Sequence, residues 1–255
     1  MELYQLEQQL NHLLQPENFH DFCPNGLIVQ ASYYRDTEVK KVVTGVSLRK
    51  ELIDKACNER ADVIIVHHPN GWWCSEKDKK IIDSNFANYA RMLIKNDISL
   101  FGYHLPLDAH PQLGNNVSVV KLLSCNTPDT AYERFLQDNI AYGLSKLTVT
   151  DERLREIFPK GYSAYNFESG KNYNVAVCTG SAALEIEEVY NRGYNLFITG
   201  EIRESTPIFA QEHNMAVIAA GHHRSEVFCV QNLAKWINTN CPGVKAKFID
   251  IDNPV

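Results

Sequence analysis

The sequence lacks the features of a membrane-spanning, secreted or disulfide-stabilised protein. None of its apolar runs approaches the ~20 residues that a membrane-spanning helix needs. The opening segment, MELYQLEQQLNHLLQ, has no charged stretch followed by an apolar core, so no signal peptide is expected. The seven cysteines are scattered and form no C-x-x-C pair, which disfavours a disulfide framework and a thiolate zinc site. These absences predict a cytoplasmic protein without membrane association.

The sequence also has fewer basic than acidic residues. Asp and Glu outnumber Lys and Arg by 31 to 25, and the formal net charge is −6. Proteins that bind nucleic acid or anionic membranes through bulk charge are basic, so nucleic acid is disfavoured as a partner. The phosphate-loop, nucleophile-elbow and dinucleotide-binding motifs are missing as well. Candidate functional residues must therefore lie outside these motifs.

Apolar runs typical of buried strands alternate with amphipathic segments, and this alternation predicts an α/β fold. The first half contains strands at 41–46, 61–68 and 98–104, with helices at 47–60 and near 80–95. The second half contains strands at 174–180, 194–201 and 215–222, with helices at 183–193 and 206–214. The order of elements is thus the same in both halves.

The two halves also match residue by residue. An offset of 133 residues pairs Val42 with Val175 and Ile65 with Ile198. A second offset, of 118 residues, pairs His104 with His222 and Asp108 with Glu226. A shared hydrophobic pattern would arise in any α/β protein, but it does not explain two His-x-x-x-acid pairs at equivalent strand ends. We therefore predict an internal repeat that forms two related α/β lobes, 1–125 and 126–255, with a metal site in the cleft between them.

Polar side chains gather where the predicted strands end. Five of the nine histidines fall at three of these strand ends, namely His67, His68, His104, His222 and His223. Ligand sites of open α/β sheets lie beyond the carboxyl ends of the strands. Each histidine alone is also compatible with an ordinary core or surface position. Their clustering, together with nearby carboxylates, predicts a metal site.

The predicted metal ligands are His67, His68, Asp108, His222 and Glu226. Imidazoles and carboxylates suit zinc, iron, manganese or cobalt, and this set exceeds what one open catalytic ion needs. We therefore expect two divalent ions, with Glu226 as the candidate bridge. His104 and Glu201 are assigned to catalysis, as groups that orient ligands or move protons. His223 is grouped with them as a residue that orients ligands or moves protons, and its individual role is left open.

The local sequence also predicts whether the side chains of these residues can point towards one site. Adjacent residues of a strand point to opposite faces, so His67 and His68 can reach one site only if the strand ends there, as Pro69 indicates. Pro106 predicts a turn rather than a helix after His104. His222 and Glu226 share one face if a helix begins after Gly221.

Six segments in fixed order resemble the Nif-three-like family. They are DFCPNGLIVQ (21–30), IVHHP (65–69), GYHLPLDAHPQLGNN (102–116), FITGE (197–201), AGHHRSE (220–226) and FIDIDNP (248–254). Members of this family are often named GTP cyclohydrolase I type 2 homologues or dinuclear metal-centre proteins. The resemblance covers almost the whole chain and is weakest at 126–172.

The resemblance implies a two-lobed α/β subunit with a dinuclear metal site, assembled as a ring-shaped homohexamer. The family's metal ligands fall on His67, His68, Asp108, His222 and Glu226, with Glu226 contacting both ions, and His104 matches a further pocket histidine. The chain departs from the family pattern after the last ligand, where Val227 and its neighbours replace a common glycine. This departure bears on substrate specificity rather than on the ligands.

Three functions are compatible with these residues. The first is a metal-dependent hydrolase of a nucleotide-like molecule, which for the family name would open the imidazole ring of GTP and release formate. The second is a non-enzymatic scaffold that buffers metal or regulates a partner. The third is a two-metal phosphoesterase acting on nucleotides. The ligands accept zinc, iron, manganese, cobalt, nickel or magnesium, so the sequence does not identify the metal.

Overall fold

The structure is a computed structural model that describes residues 1–33, 37–69, 84–125, 132–135 and 141–255. The strands of these residues are β1 (Gly26–Val29), β2 (Lys41–Ser47), β3 (Val63–His68), β4 (Ser99–Gly102), β5 (Tyr132–Phe135), β6 (Ala141–Val149), β7 (Ser163–Tyr165), β8 (Lys171–Cys178), β9 (Leu196–Thr199), β10 (Ala216–Ala219) and β11 (Lys245–Phe248). The helices are α1 (Leu3–Leu14), α2 (Lys50–Glu59), α3 (Ser84–Lys95), α4 (Leu105–Asp108), α5 (Asn115–Leu123), α6 (Asp151–Ile157), α7 (Ile186–Asn191), α8 (Ser205–Glu212), α9 (His222–Ser225) and α10 (Val227–Asn240).

The chain divides into two compact units. The first contains Met1–Leu113 and Cys229–Ile251, and the second contains Gly114–Phe228 and Asp252–Val255. The sequence prediction instead divided the chain after residue 125 and gave the whole C-terminal part to the second lobe. The two divisions differ because β11, which lies in the second half of the sequence, pairs with β2 in the first unit.

The first unit is built on a five-stranded sheet in the order β1-β4-β3-β2-β11. Strands β2, β3, β4 and β11 are parallel to one another, whereas β1 is antiparallel to β4. All six residues of β3 are buried, as expected for a parallel strand covered on both faces. Helix α2 packs Leu52, Ile53 and Ala56 into the core of this unit. The apolar spacing of α2 therefore covers the sheet and leaves its charged face outside.

The second unit contains a six-stranded sheet in the order β5-β6-β8-β9-β10-β7. Strands β8, β9 and β10 are parallel, and the other pairings are antiparallel. Phe197 and Val217 of this sheet pack with Val189 of α7 and Ala210 of α8 in the core. Each unit thus contains three consecutive strands that are parallel and adjacent. This likeness supports the internal repeat, which stays a prediction.

The predicted α/β class is confirmed, and each predicted strand coincides with an observed one to within a few residues. The helix predicted near 80–95 is α3, although residues 80–83 lie outside the described residues. The prediction of a turn at Pro106 is wrong, because Leu105–Asp108 forms one turn of helix. Proline is tolerated in the first turn, where its missing N–H would have no partner within the helix. In the described ranges, no helix has the length and apolar character to cross a membrane.

Candidate functional site

In the first unit, β3 ends with two histidines at the carboxyl edge of the sheet. The His67 side chain is fully buried, and its Nδ1 lies 3.0 Å from the backbone oxygen of Tyr103. Because a carbonyl oxygen only accepts hydrogen bonds, Nδ1 carries the proton and donates it. The neutral ring therefore has its lone pair at Nε2.

The lone-pair nitrogen of His67 faces a carboxylate. Its Nε2 lies 3.3 Å from Oδ2 of Asp108, the last residue of α4, whose side chain is 11% exposed. A nitrogen lone pair and a carboxylate oxygen repel each other at this distance unless a proton or a cation lies close to both. These donors therefore fit a divalent metal ion, which takes neutral imidazole and carboxylate ligands.

His68 presents its ring beside that of His67. The ring centroids are 4.6 Å apart, and His68 Nδ1 lies 3.0 Å from the hydroxyl oxygen of Ser47 at the end of β2. One nitrogen each of His67, His68 and His104 lie within 4.8 Å of one another, close enough to hold one metal ion. Adjacent strand residues can converge in this way because β3 ends at His68.

His104 follows β4 and is held by residues from far along the chain. Its Nδ1 donates to Asp21 Oδ1 at 2.9 Å, and its backbone N–H donates to Asn25 Oδ1 at 2.8 Å. Asp21 also accepts the backbone N–H of Leu105, and its side chain is only 2% exposed. Burial raises the pKa of Asp21, but the hydrogen bond and the charge of His104 outweigh it, so this pKa is lowered.

Asp21 was not among the residues predicted for the site. It lies 83 positions before His104, and nothing in the local sequence relates the two. Its place in the DFCPNG segment, which is part of the family resemblance, was the one signal that pointed to it. Ser47, which fixes the His68 ring, had no such signal.

In the second unit, His222 lies between two carboxylates. Its Nδ1 is 2.5 Å from Glu201 Oε1, and its Nε2 is 3.0 Å from Glu226 Oε2. Burial lowers the pKa of His222, but the charge of Glu226 and the hydrogen bonds to both carboxylates outweigh it and raise this pKa to about 10. With a pKa this high, both ring nitrogens of His222 carry a proton near neutral pH. A metal ion would replace the proton on Nε2, and Nδ1 would keep its hydrogen bond to Glu201.

The local backbone explains how His222 and Glu226 meet. Helix α9 begins at His222, directly after Gly221, and ends at Ser225, so Glu226 follows one turn later. The loop after β8 comes close to both side chains at Gly180, which has a φ of +68°. A Cβ at this position would overlap Glu226 Oε1 and lie 3.4 Å from His222 Nε2. Gly180 thus provides the room that the Glu226 carboxylate occupies.

The predicted site residues are therefore grouped within each unit. The first unit brings together His67, His68, Asp108 and His104, and the second brings together Glu201, His222 and Glu226. Glu201 accepts a second hydrogen bond from the Ser181 hydroxyl at 3.2 Å, which fixes its carboxylate. His223 is buried, and its backbone N–H donates to the backbone oxygen of Val255.

Two bacterial proteins that share one name are similar to this chain over nearly its whole length. A protein of Vibrio cholerae named "GTP cyclohydrolase 1 type 2 homolog" is 36% identical over 257 residues, covering 98% of both chains. The protein of the same name in Escherichia coli strain K12 is 34% identical over 255 residues, again covering 98% of each.

Solved structures show the same fold. The structure titled "Structural genomics, protein ybgI, unknown function" superimposes with a TM-score of 0.86 at 32% identity, over the full length of both chains. The protein TTHA1606 from Thermus thermophilus gives a TM-score of 0.81 at 27% identity, also over both full chains. The family profile described as Duf34/NIF3 (NGG1p interacting factor 3) matches residues 1–254. The chain belongs to the Duf34/NIF3 family.

Proposed function

We propose that the chain binds two divalent metal ions and acts as a metal-dependent hydrolase on a nucleotide-like substrate. The proposed ligands are His67, His68, Asp108, His222 and Glu226. One observation carries the proposal. His67 and His222 each have Nδ1 fixed by an acceptor while Nε2 faces a carboxylate oxygen, at 3.3 Å and 3.0 Å. This is the arrangement in which proteins hold metal-binding histidines.

The remaining site residues support a hydrolytic reaction. A divalent ion, when bound, supplies Lewis acidity that activates water and polarises the substrate. Glu201 fixes the His222 ring, and the carbonyl of Tyr103 fixes the His67 ring. His104 is held by Asp21 through Nδ1, and its ring centroid lies 5.0 Å from that of His67 and 5.5 Å from that of His68, so it is placed to move protons at the site. His104 is therefore the proposed proton-transfer residue.

The names of the relatives indicate which substrate to test first. Those proteins are named GTP cyclohydrolase 1 type 2 homologues. For this chain we propose hydrolytic opening of the guanine imidazole ring, with carbon 8 released as formate.

The scattered cysteines favour a reducing cytoplasm as the compartment, and a homohexamer is the proposed assembly. Light scattering of the purified protein, whose chain mass is 29.0 kDa, tests the assembly.

Metal binding is tested by elemental analysis of the purified chain. We expect about two ions per chain, as in paired-metal enzymes. The His67→Ala/His68→Ala double variant should lose metal, whereas His12→Ala, which removes an exposed histidine of α1, should keep the full complement. If the double variant retained both ions, the proposed ligands would be wrong.

Activity is tested by incubating metal-loaded protein with GTP and a nucleotide panel. We expect formate release from GTP that is abolished in Glu226→Gln and preserved in Glu212→Gln, an exposed position on α8. Release of inorganic phosphate without formate would instead indicate a two-metal phosphoesterase. Tight, reversible metal binding without any turnover would overturn the hydrolase proposal and support a metal-buffering or regulatory scaffold.

A further inference from the structure

The second unit contains a cavity whose ligand nothing above assigns. Its volume is about 590 Å³, within the range of ~300–1,000 Å³ typical of small-molecule sites. Residues 200–202, directly after β9, and residues 220–221, directly after β10, form part of its lining. Carboxyl ends of adjacent parallel strands are where α/β sheets bind ligands. The cavity therefore lies where a ligand is expected.

Arg224 gives this cavity a specific chemistry. It lines the cavity, and its Nε is buried without a hydrogen-bond acceptor in the part of the chain that the structure describes. Buried N–H donors in folded proteins are nearly always bonded, and a guanidinium stays charged at any physiological pH. Its planar N–H groups match the oxygens of a phosphate or a carboxylate. An oxyanion in the cavity would bind this guanidinium through its other N–H groups, because Nε itself is closed to atoms the size of a water molecule.

The neighbouring side chains are compatible with an anion. Lys160 is a second cation in the lining, and its Nζ pairs with Asp252 at 2.8 Å. Glu201 is the one carboxylate side chain among the described lining residues, and it is engaged by His222 and Ser181. Two cationic side chains and one carboxylate side chain thus line the cavity, together with the C-terminal residue Val255.

Gly221 allows Arg224 to lie where it does. Its φ is +88°, and a Cβ there would lie 3.3 Å from Cδ of Arg224. The arginine side chain thus passes over a backbone position without a side chain. A side chain at position 221 would crowd the stem of Arg224.

We propose that this cavity binds the phosphate or carboxylate group of a small organic molecule, with Arg224 as the principal anion-binding residue. The inference does not require a metal ion, so it stands apart from the proposed hydrolase activity. Because Glu201 both lines the cavity and holds His222, the anion would bind next to a residue that orients a proposed metal ligand. Phosphate and carboxylate ligands share this recognition chemistry and are separated by experiment.

Calorimetric titration of the full chain tests the proposal, with chelator present so that contacts between phosphate and metal do not contribute. GMP should bind, and guanosine, which lacks only the phosphate, should bind at least about tenfold more weakly. Glutarate serves as the carboxylate probe. Arg224→Gln should weaken binding of the effective anion by about tenfold or more. Arg134→Gln, an equal charge change at an exposed residue of β5, should leave it within about twofold.

A second variant guards against misfolding of Arg224→Gln. Ser163 is an exposed residue of β7 in the cavity lining, so Ser163→Glu should fold normally and repel the anion. Weaker binding in both variants, with thermal unfolding like that of wild type in at least Ser163→Glu, supports the proposal. Equal binding of GMP and guanosine with no binding of glutarate would overturn it. Wild-type anion affinity in Arg224→Gln would overturn it as well.

Discussion

For His67 and His222, the hydrogen bond at Nδ1 determines that Nε2 is the nitrogen that faces the site. The Tyr103 carbonyl takes the Nδ1 proton of His67, and Glu201 takes that of His222. Both rings are then restricted in orientation and present Nε2. Single residues that do not bind metal thus determine whether the proposed ligands can do so.

Gly180 offers the sharpest test of this dependence. Gly180→Ala should weaken metal binding at least tenfold, because the added Cβ would overlap Glu226 Oε1 and displace the carboxylate. Competition between the protein and a chromophoric chelator measures the affinity. The measurement is made on purified variants at equal concentration.

Gly193→Ala is the matched control for Gly180→Ala. Gly193 also has a positive φ, +83°, but no atom lies within 4 Å of a Cβ built there. Both variants should lose about 1–2 kcal/mol of stability from the left-handed backbone, but Gly193→Ala should keep its metal. Equal metal affinity in the two variants would contradict the role given to Gly180.

Asp21 links the position of His104 to pH. The folded-state pKa of Asp21 is lowered from its ordinary value of 3.8, so its ionised form stabilises the fold above that pH. Asp21→Asn should therefore reduce the free energy of unfolding at pH 7 by about 1–3 kcal/mol. The difference from wild type should narrow as pH falls below 3.8. Urea unfolding with chelator, at several pH values from about 7 down to about 2, measures it, and a pH-independent difference would count against the ionised pair.

At the scale of elements, three strands of the first unit meet around Gly102. A Cβ on this residue of β4 would lie 2.6 Å from Cβ of Pro69 and 2.8 Å from Cδ1 of Ile28. Gly102→Ala should push Pro69 away and shift the end of β3, where His67 and His68 lie. We expect a loss of about 1–3 kcal/mol in stability and severalfold weaker metal binding, measured by denaturation and by chelator competition.

Ile65→Val separates the displacement of β3 from simple destabilisation. Ile65 is fully buried in the same strand, and the removal of one methylene should cost about 0.5–1.5 kcal/mol without moving the strand end. Metal affinity should therefore stay at the wild-type level in Ile65→Val. If Gly102→Ala also retained wild-type affinity, the packing of Pro69 would not control the histidines.

The elements show which features sequence patterns could predict. The apolar run before His67 and the following Pro69 located β3 and its end, because strand burial and proline geometry act locally. The helix at Leu105–Asp108 was missed because Pro106 was given a breaking role that it lacks in a first turn. Asp21 was missed because its hydrogen bonds to His104 and Leu105 join residues far apart in sequence.

At the scale of the whole molecule, the path of the chain was the hardest feature to predict. The C-terminal segment Cys229–Ile251 belongs to the first unit, where β11 pairs with β2. Hydrophobic periodicity identifies a strand but does not say which sheet edge it joins. The predicted division after residue 125 followed the internal repeat, and a strand that returns to the first sheet lies outside that repeat.

Metal removal should lower the stability of the chain, because the proposed ligands are buried polar groups. His67 is fully buried and Glu226 is 4% exposed, so their stripped forms carry a desolvation cost that bound ions would offset. A ligand present at 100 times its dissociation constant stabilises a protein by about 2.7 kcal/mol. For a chain of this size, chelation should lower the melting temperature by about 5–10 °C. Calorimetry of loaded and stripped protein measures this, and the His67→Ala/His68→Ala variant should show little change. An unchanged melting temperature in wild type, with metal loss verified by elemental analysis, would mean that the ions do not stabilise the fold.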